Sequence, residues 1–330
     1  MVNLKKTPYL CSVVVRYNTK PVEILDTTFY SQLNNFEKMK KLILSLTVLF
    51  TAISINAQIL YKVSGNGAKG ESYVMGTHHL APVSIIDSIE GFNAAINSVD
   101  AVYGEIGHSE MNSPATQQKM MMAAMAPTDS TLSKVFTKEQ YDSIDNVLKK
   151  YSAGQASLTM LEPMMPTLVG QQLMILMNMQ VIPNFNPMQQ LDTHVQAIGA
   201  QAGKEVNGFE TVDFQINLLF GKSISAQAED LLETIRKENE MKSFSFDLYN
   251  AYMTQDIESV RQMMIDPEFG LEPKDEAEML TNRNVNWVSQ LKTILPQKSV
   301  FVCVGAGHLP GENGVLNLLR QAGYTITPVK

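Results

Sequence analysis

Two short apolar runs in the chain are each followed, at the same spacing, by a glycine and a histidine. Val300–Val304 is rich in β-branched and aromatic residues and leads into Gly305–His308, and the apolar run at residues 72–77 leads through Gly76–His79. Such runs bounded by glycine are typical of buried strands. In open α/β sheets, the loops at the carboxyl ends of the strands carry the chemistry. The pattern favours one shared site for both histidines over two unrelated loop residues.

The region around the first histidine has the pattern of a βαβ unit. Two strands are predicted within residues 59–76, joined by a glycine-rich turn. Apolar residues at helical spacing predict one helix from Ser84 to Ile96. The next predicted strand, Val99–Glu105, ends in an acid. The strands of a βαβ unit are normally parallel, so we expect Glu105 at the same sheet edge as His79.

A methionine-rich stretch at about residues 111–180 departs from this pattern and predicts a helical insertion. Methionines cluster near residues 120–125 and 160–179, and Thr137–Gln140 has the form of a capping box that opens a helix. Methionine side chains are adaptable and fill irregular cores or grip varied apolar partners. We favour an irregular helical core over a peptide-binding groove.

The rest of the chain returns to mixed elements. Gln189–Ala202 is predicted to be helical, Lys204–Glu210 to be a short strand that again ends in an acid, and Glu272–Leu295 to be a helix that carries Arg283. A last strand is predicted at Tyr324–Val329. We therefore expect an α/β (α+β) fold with a mixed central sheet flanked by helices. No linker divides residues 58–330, which we interpret as one domain.

The N-terminal part of the chain predicts export. Residues 39–57 have the layout of a signal peptide, with Lys40 and Lys41, an apolar segment, and a small-residue cleavage site at Ala57. The apolar segment is shorter than the ~20 residues of a transmembrane helix, so no stable membrane insertion is expected after cleavage. Residues 1–38 then form a non-native leader from a start placed too early. The mature protein would be periplasmic or secreted.

Composition narrows the function classes. Of the 330 residues, 45% are hydrophobic and 18% charged, which is enough for a globular core. A net charge of −7 with no basic cluster argues against nucleic acid as a partner. Two cysteines, Cys11 and Cys303, exclude a disulfide framework.

Short motifs spread over roughly residues 60–330 resemble, in order, those of the TraB/GumN family, whose animal relatives are the TIKI proteases. The motifs that carry this resemblance are Gly76–His79, Glu105, Leu191–Asp192, Gly208–Thr211 with Gln215, Asn282–Trp287 and Val304–His308. The resemblance implies a metal-dependent hydrolase, a metalloprotease in the best-understood branch. It also implies a mixed sheet and a site made of the two histidines and the acid after the first.

The residue chemistry is compatible with a divalent metal, Mn, Co or Zn, held by His79, His308 and Glu105. Imidazole and carboxylate are the usual ligands of hydrolytic metals, and a bound metal lowers the pKa of a coordinated water. Glu210 is a second ligand or the general base. Arg283 suits an oxyanion or a substrate carboxylate, or else forms a structural ion pair with Glu210 or Asp192.

The remaining polar candidates have lesser predicted roles. Asp192 is expected to cap or orient, His78 to support its neighbour, and His108 and His194 to lie at the surface or in packing.

Two functions follow from these predictions. The first is an exported metal-dependent hydrolase, a peptidase or an enzyme for small amides or esters, with Glu105, Glu210 and Arg283 as catalytic residues. The second is a non-catalytic protein that binds haem or a metal in the same pocket.

Export yields a direct test. In a Gram-negative host, the chain should be cleaved before Gln58, because signal peptidases cut after small residues that follow an apolar segment. N-terminal sequencing and intact mass measure the new terminus. A stable mature form that still carries residues 1–38 would contradict both the cleavage and the late start.

Overall fold

A computed structural model describes residues 58–329 and shows a six-stranded mixed sheet surrounded by helices, as predicted. The predicted signal peptide, the leader at 1–38 and Cys11 lie outside the described residues. The strands are β1 (Leu60–Ser64), β2 (Ser72–Thr77), β3 (Ala101–Gly104), β4 (Glu205–Gly208), β5 (Val300–Gly305) and β6 (Thr325–Pro328).

The α-helices occupy most of the chain between β3 and β5. They are α1 (Phe92–Ser98), α2 (His108–Met111), α3 (Pro114–Ala123), α4 (Leu132–Val135), α5 (Lys138–Tyr151), α6 (Pro166–Val181), α7 (Leu191–Gln201), α8 (Val212–Phe220), α9 (Ile224–Arg236), α10 (Glu238–Met253), α11 (Ile257–Met264), α12 (Pro273–Glu276), α13 (Asn282–Ile294) and α14 (Val315–Gln321). Short 3-10 turns lie at Val83–Ser88, Leu158–Leu161 and Ala306–His308, and a π-helical turn at Ala277–Thr281 joins α12 to α13.

The strand order, β4-β3-β5-β2-β1-β6, places the predicted chemistry at one edge of the sheet. Strands β2, β5, β3 and β4 are mutually parallel, and β1 runs antiparallel to both β2 and β6. Thr77 pairs with Gly305, and Gly104 pairs with Gly208. The carboxyl ends of these four strands therefore meet, as expected for parallel strands. The predicted βαβ unit is parallel, but β5 lies between its two strands.

The two loops that carry the histidines, Gly76–His79 and Gly305–His308, are in close contact. A Cβ added to Gly76 would lie 2.9 Å from the Cα of Ala306 in the second loop. Buried Tyr252 on α10 donates a hydrogen bond of 2.8 Å to the carbonyl of Gly76 and supports this approach. The two histidine-bearing loops therefore leave the sheet side by side.

The predicted helix from Ser84 to Ile96 is interrupted in the structure. A 3-10 turn ends at Ser88 and α1 begins at Phe92. Gly91 between them has a φ of +73°, in the left-handed region. Apolar spacing continued across the break because both pieces pack on the same core, which is why the sequence suggested one helix.

The methionine-rich insertion is helical, as predicted, but most of its core residues are not methionines. A cluster of leucine, isoleucine, valine and phenylalanine side chains joins α4, α5 and α6 to α9, which follows β4. The capping box forms, with Thr137 and Gln140 satisfying each other's backbone groups. Met177 is fully buried, whereas Met121, Met122 and Met160 are exposed. The interpretation of the methionines as core residues therefore holds for Met177 but not for Met121, Met122 and Met160.

No helix among residues 58–329 is long and apolar enough to cross a membrane.

Helix α7 lies unusually close to β3 and thereby positions the strand that carries Glu105. A Cβ added to Gly199 would lie 2.5 Å from Cγ2 of buried Val102. At a separation below 3.0 Å, the Val102 side chain or the helix backbone must shift. Helix α7 therefore approaches the sheet this closely because residue 199 has no side chain.

Gly199→Ala should destabilise the protein by about 1–3 kcal/mol, as overpacking does. Gly170→Ala is the matched control, because Gly170 is also helical and its added Cβ would make ordinary contact with Leu231 at 3.9 Å. Removing a mid-helix glycine stabilises by roughly 0.5–1 kcal/mol. Urea unfolding measures both variants, and equal effects would contradict the close approach.

Candidate functional site

Two glutamates stand together where β3 and β4 end. Glu105 follows β3, and Glu210 lies two residues beyond β4. The backbone N–H of Glu210 donates to the carbonyl of Glu105 at 2.9 Å, which continues the pairing of the strands. Strand register therefore places the backbones of the two glutamates next to each other.

Arg283, in the first turn of α13, holds both carboxylates. Its Nε and Nη2 bind the two oxygens of Glu210 at 2.8 and 2.9 Å, and Nη2 also binds Oε2 of Glu105 at 2.5 Å. The side chain of Arg283 is 5% exposed and that of Glu210 is 4% exposed. This bidentate geometry is the strong form of an arginine–carboxylate pair. The predicted structural ion pair between Arg283 and Glu210 is present.

Aromatic rings fix the plane of the guanidinium. The Trp287 ring lies one turn along α13, with Cζ of Arg283 4.9 Å from its centroid. Trp287 Nε1 donates to Oε1 of Glu210 at 2.9 Å, and the ring stacks on Phe209 at 5.8 Å between centroids. The π-helical turn before α13 supplies another partner, because Nη1 of Arg283 donates to the carbonyl of Met279 at 3.0 Å. These hydrogen bonds and the Trp287 ring together hold the guanidinium of Arg283 in one orientation.

Glu105 is the more accessible carboxylate. Its side chain is 23% exposed, and Oε1 accepts the backbone N–H of Gly305 at 3.1 Å. Burial alone would raise the pKa of Glu105, but the charges of His308 and Arg283 and the Gly305 N–H lower it to about 2. Since His308 is uncharged at neutral pH, Arg283 supplies the positive charge there. Glu105 is therefore ionised.

Gln215 on α8 bridges the two glutamates. Its Nε2 donates to Oε2 of Glu105 at 3.1 Å and to Oε2 of Glu210 at 3.0 Å. Helix α8 is oriented by Thr211, whose hydroxyl accepts the backbone N–H of Phe214 at the helix start. The Gln215 amide thus gives both carboxylates a neutral hydrogen-bond donor in addition to the charged Arg283.

The hydrogen bonds around His308 define its tautomer. Nδ2 of Asn284 donates to the carbonyl of Asn313 at 2.9 Å, so its Oδ1 is left to accept from Nδ1 of His308 at 2.6 Å. Nε2 of His308 faces Nη1 of Arg283 at 3.2 Å, and a guanidinium can only donate. The assignment from both sides is the same: Nδ1 carries the proton, and Nε2 presents a lone pair.

His308 is also held uncharged. Burial lowers its pKa to about 3. The charge of Glu105 opposes this shift, and the charges of Arg283 and Arg261 add to it. The Trp287 ring covers one side of the imidazole, with 4.4 Å between the ring centroids. A neutral imidazole with a fixed lone pair is the form that binds metals.

His79 lies at the same edge but faces a different acid. Nδ1 of His79 is 3.5 Å from Oδ1 of Asp192, in the first turn of α7. The neighbouring carboxylate of Asp192 raises the pKa of His79, and Glu105 contributes in the same direction. The His79 side chain is 62% exposed, so water screens this attraction. Asp192 lies beside His79, and its predicted role, to cap or orient, stays a prediction.

The sequence profile of the TraB/PrgY/gumN family matches residues 59–328, nearly all of the part that the structure describes. The chain belongs to the TraB/PrgY/gumN family. No curated protein and no solved structure matches the chain.

The donor atoms at this edge are of the types that bind metals, but two of them already contact Arg283. Glu105 offers a charged carboxylate and His308 a bare nitrogen lone pair, and both contact Arg283. Within residues 58–329, no three His, Cys, Asp or Glu side chains converge closely enough to hold a metal ion. A metal would share the Glu105 and His308 donors with the guanidinium, which stays anchored by Glu210.

Asn284 is the residue in contact with His308 that the sequence analysis did not single out. It is 2% exposed and sets the tautomer of His308. A signal for it was present: Asn284 shares a helix face with Val288 and Leu291, which are apolar and buried. A polar residue on an apolar stripe needs a specific partner. His108 and His194 lie away from this constellation of contacts; His108 bonds to Asn112.

Glu210→Gln should destabilise the protein by roughly 3–5 kcal/mol, because it removes one partner of a buried ion pair and leaves Arg283 short of a charge. Glu229→Gln is the control, since the Glu229–Arg236 pair is exposed at the surface. An exposed pair contributes about 0–1 kcal/mol. Denaturant unfolding measures both. Equal, small losses would show that Arg283 does not depend on Glu210.

Proposed function

We propose that this protein is an exported divalent-metal-dependent hydrolase that acts on a peptide or a related amide or ester. The observation that carries the proposal is the pair formed by Glu105 and His308. One offers an ionised carboxylate and the other an uncharged nitrogen with its lone pair fixed, at one sheet edge. A carboxylate and an imidazole are the ligands that hydrolytic metals use.

The charges of the site support a further cation. Arg283 carries one positive charge between the carboxylates of Glu105 and Glu210, so one negative charge remains uncompensated within this group. Glu105 is the more exposed of the two acids, at 23% against 4%. A cation that approaches from solvent would therefore meet Glu105 first.

The proposed metal ligands are His79, His308 and Glu105. Because these side chains do not converge in the structure, His79 would have to turn from Asp192 towards the other two when a metal binds. Bound Mn, Co or Zn supplies a Lewis acid and a water of lowered pKa. Asn284 keeps the ligand nitrogen of His308 free of a proton, which is the role that hydrogen-bonded neighbours of metal ligands play. Asp192 sits where it can orient the ring of His79 in the same way.

Arg283 is suited to bind negative charge that develops on the substrate. Glu210 and Trp287 fix its plane, so the guanidinium needs little reorganisation when an oxyanion or a substrate carboxylate forms beside it. Glu210 itself accepts four hydrogen bonds, from Arg283 twice, from Trp287 and from Gln215. This favours Glu210 as the anchor of Arg283. Its use as general base stays a prediction and requires that one of these donors leaves.

Export is part of the proposal and rests on the sequence before Gln58. The mature protein would act in a periplasm or outside the cell. The non-catalytic alternative, a haem- or metal-binding protein, differs in its spectrum: haem gives a Soret band, whereas a protein with bound Mn or Zn is nearly colourless.

Substitution of the proposed ligands should remove the metal but keep the fold. His79→Ala and His308→Ala should each abolish binding of Mn, Co or Zn in calorimetric titration and abolish hydrolysis. Glu105→Gln should weaken binding, because the charge is lost while the shape is kept. Arg283→Lys should keep the metal and impair turnover, since lysine lacks the planar fork.

His194→Ala is the matched control and should bind metal like the unmodified protein, because His194 lies on α7 outside the site contacts. Circular dichroism verifies that each variant is folded. Unmodified affinity in both histidine variants would refute the metal site. A Soret band in the purified protein would instead support the binding function.

A further inference from the structure

Two methionines of the helical insertion are fixed side by side. Met125 and Met164 face each other in an isolated antiparallel bridge. The flanking hydrogen bonds run from Ala126 N–H to the Pro163 carbonyl at 2.9 Å and from Met165 N–H to the Ala124 carbonyl at 2.8 Å. This pattern defines a non-hydrogen-bonded pair, in which the Cα atoms are about 4.5 Å apart and the side chains lie close on one face.

Two further exposed methionines lie close to this pair along the chain. Met122 lies one turn before Met125, whose N–H donates to the Met122 carbonyl at 3.2 Å. Met160 lies just before the turn that leads to Met164. Met122 and Met160 are 66% and 68% exposed, and Met125 is 47% exposed. The sulfur atoms can therefore reach a solute without any change in the fold.

The neighbouring residue on the bridge shows that the two faces differ. Met165 alternates with Met164 and its sulfur accepts a hydrogen bond from Nε2 of buried Gln227 at 3.8 Å. Met165 therefore packs against Gln227, whereas Met125 and Met164 share the other face of the bridge. The backbone alternation thus separates Met165 from the pair formed by Met125 and Met164.

Thioether sulfur is a soft, uncharged ligand. It binds Cu(I) in preference to hard cations such as Mg²⁺ and Ca²⁺, which require oxygen ligands. We propose that Met125 and Met164, with Met122 or Met160 completing the coordination, form a binding site for monovalent copper. The site is built entirely from the insertion. It is independent of the hydrolase proposal, because it shares no residue with the glutamate–arginine–histidine group.

The structure favours a metal over a purely structural role for these side chains. The core of the insertion is complete without them, since it is formed by residues such as Leu132, Ile144 and Leu231. Because Met122, Met125 and Met160 are exposed, their side chains contribute little to stability through burial. Their pairing across a bridge, in contrast, brings two soft ligands together at no cost in folding entropy beyond that of the bridge itself.

The test is anaerobic titration of the purified protein with Cu(I), kept reduced by ascorbate, against a chromogenic Cu(I) chelator. Ag(I) serves as a second soft probe that does not change oxidation state. The unmodified protein should withdraw one ion per chain from the chelator. Met125→Leu/Met164→Leu should lose this binding, whereas leucine keeps the volume and the fold.

Met179→Leu/Met188→Leu is the matched control, because it removes two thioethers that are 55% and 88% exposed and lie in the last turn of α6 and beyond it, whereas the bridge precedes the first turn of α6. This variant should bind Cu(I) like the unmodified protein. Thermal unfolding verifies that both double variants are folded. The proposal is overturned if the unmodified protein binds no Cu(I), if the Met125/Met164 variant still binds, or if both double variants lose binding equally.

Discussion

The site depends on how the positive charge of one buried guanidinium, that of Arg283, is compensated. Arg283 is almost completely removed from water, and a buried charge without partners is strongly destabilising. Its partners, Glu105 and Glu210, come from different strands and from segments far apart in the chain. The fold must therefore bring β3, β4 and α13 together before the charge is satisfied. A buried ion pair is a weak contributor to stability compared with apolar packing, so its presence here points to a role in the site.

A directional chain of hydrogen bonds extends from this ion pair. It runs from the Asn313 carbonyl through Asn284 and His308 to Arg283, and each donor and acceptor along it is fixed by the next. Because the carbonyl can only accept and the guanidinium can only donate, no other arrangement of the protons satisfies both ends. Such a chain holds a lone pair in place without any charge on the imidazole. That is a requirement of a metal ligand, and it is met here by the α13 helix and the loop before α14.

Apolar packing and polar chemistry are separated in this fold. The sheet core consists of strand residues such as Val302 and Val304, packed against α1, α13 and α14. The helical insertion has its own core, shared with α9. The polar site lies at the sheet edge, where strands end and backbone N–H groups such as that of Gly305 become free to bind a carboxylate. Because the polar site lies outside both apolar cores, its charged side chains do not interrupt their packing.

The sequence by itself determined most of the strands and the sheet edge. Apolar runs that end near a glycine or an acid identify β2, β3 and β5, because a buried strand needs apolar residues whatever its neighbours are. The same local logic placed His79, Glu105 and His308 after strands. The tertiary structure alone decided the strand order, with β5 inserted between β2 and β3, because pairing depends on contacts between distant segments. It also decided that Arg283 joins both glutamates and that Asn284 sets the His308 tautomer. Hydrogen-bond partners across 24 or more residues leave no periodic trace in the chain, so no local pattern could assign them.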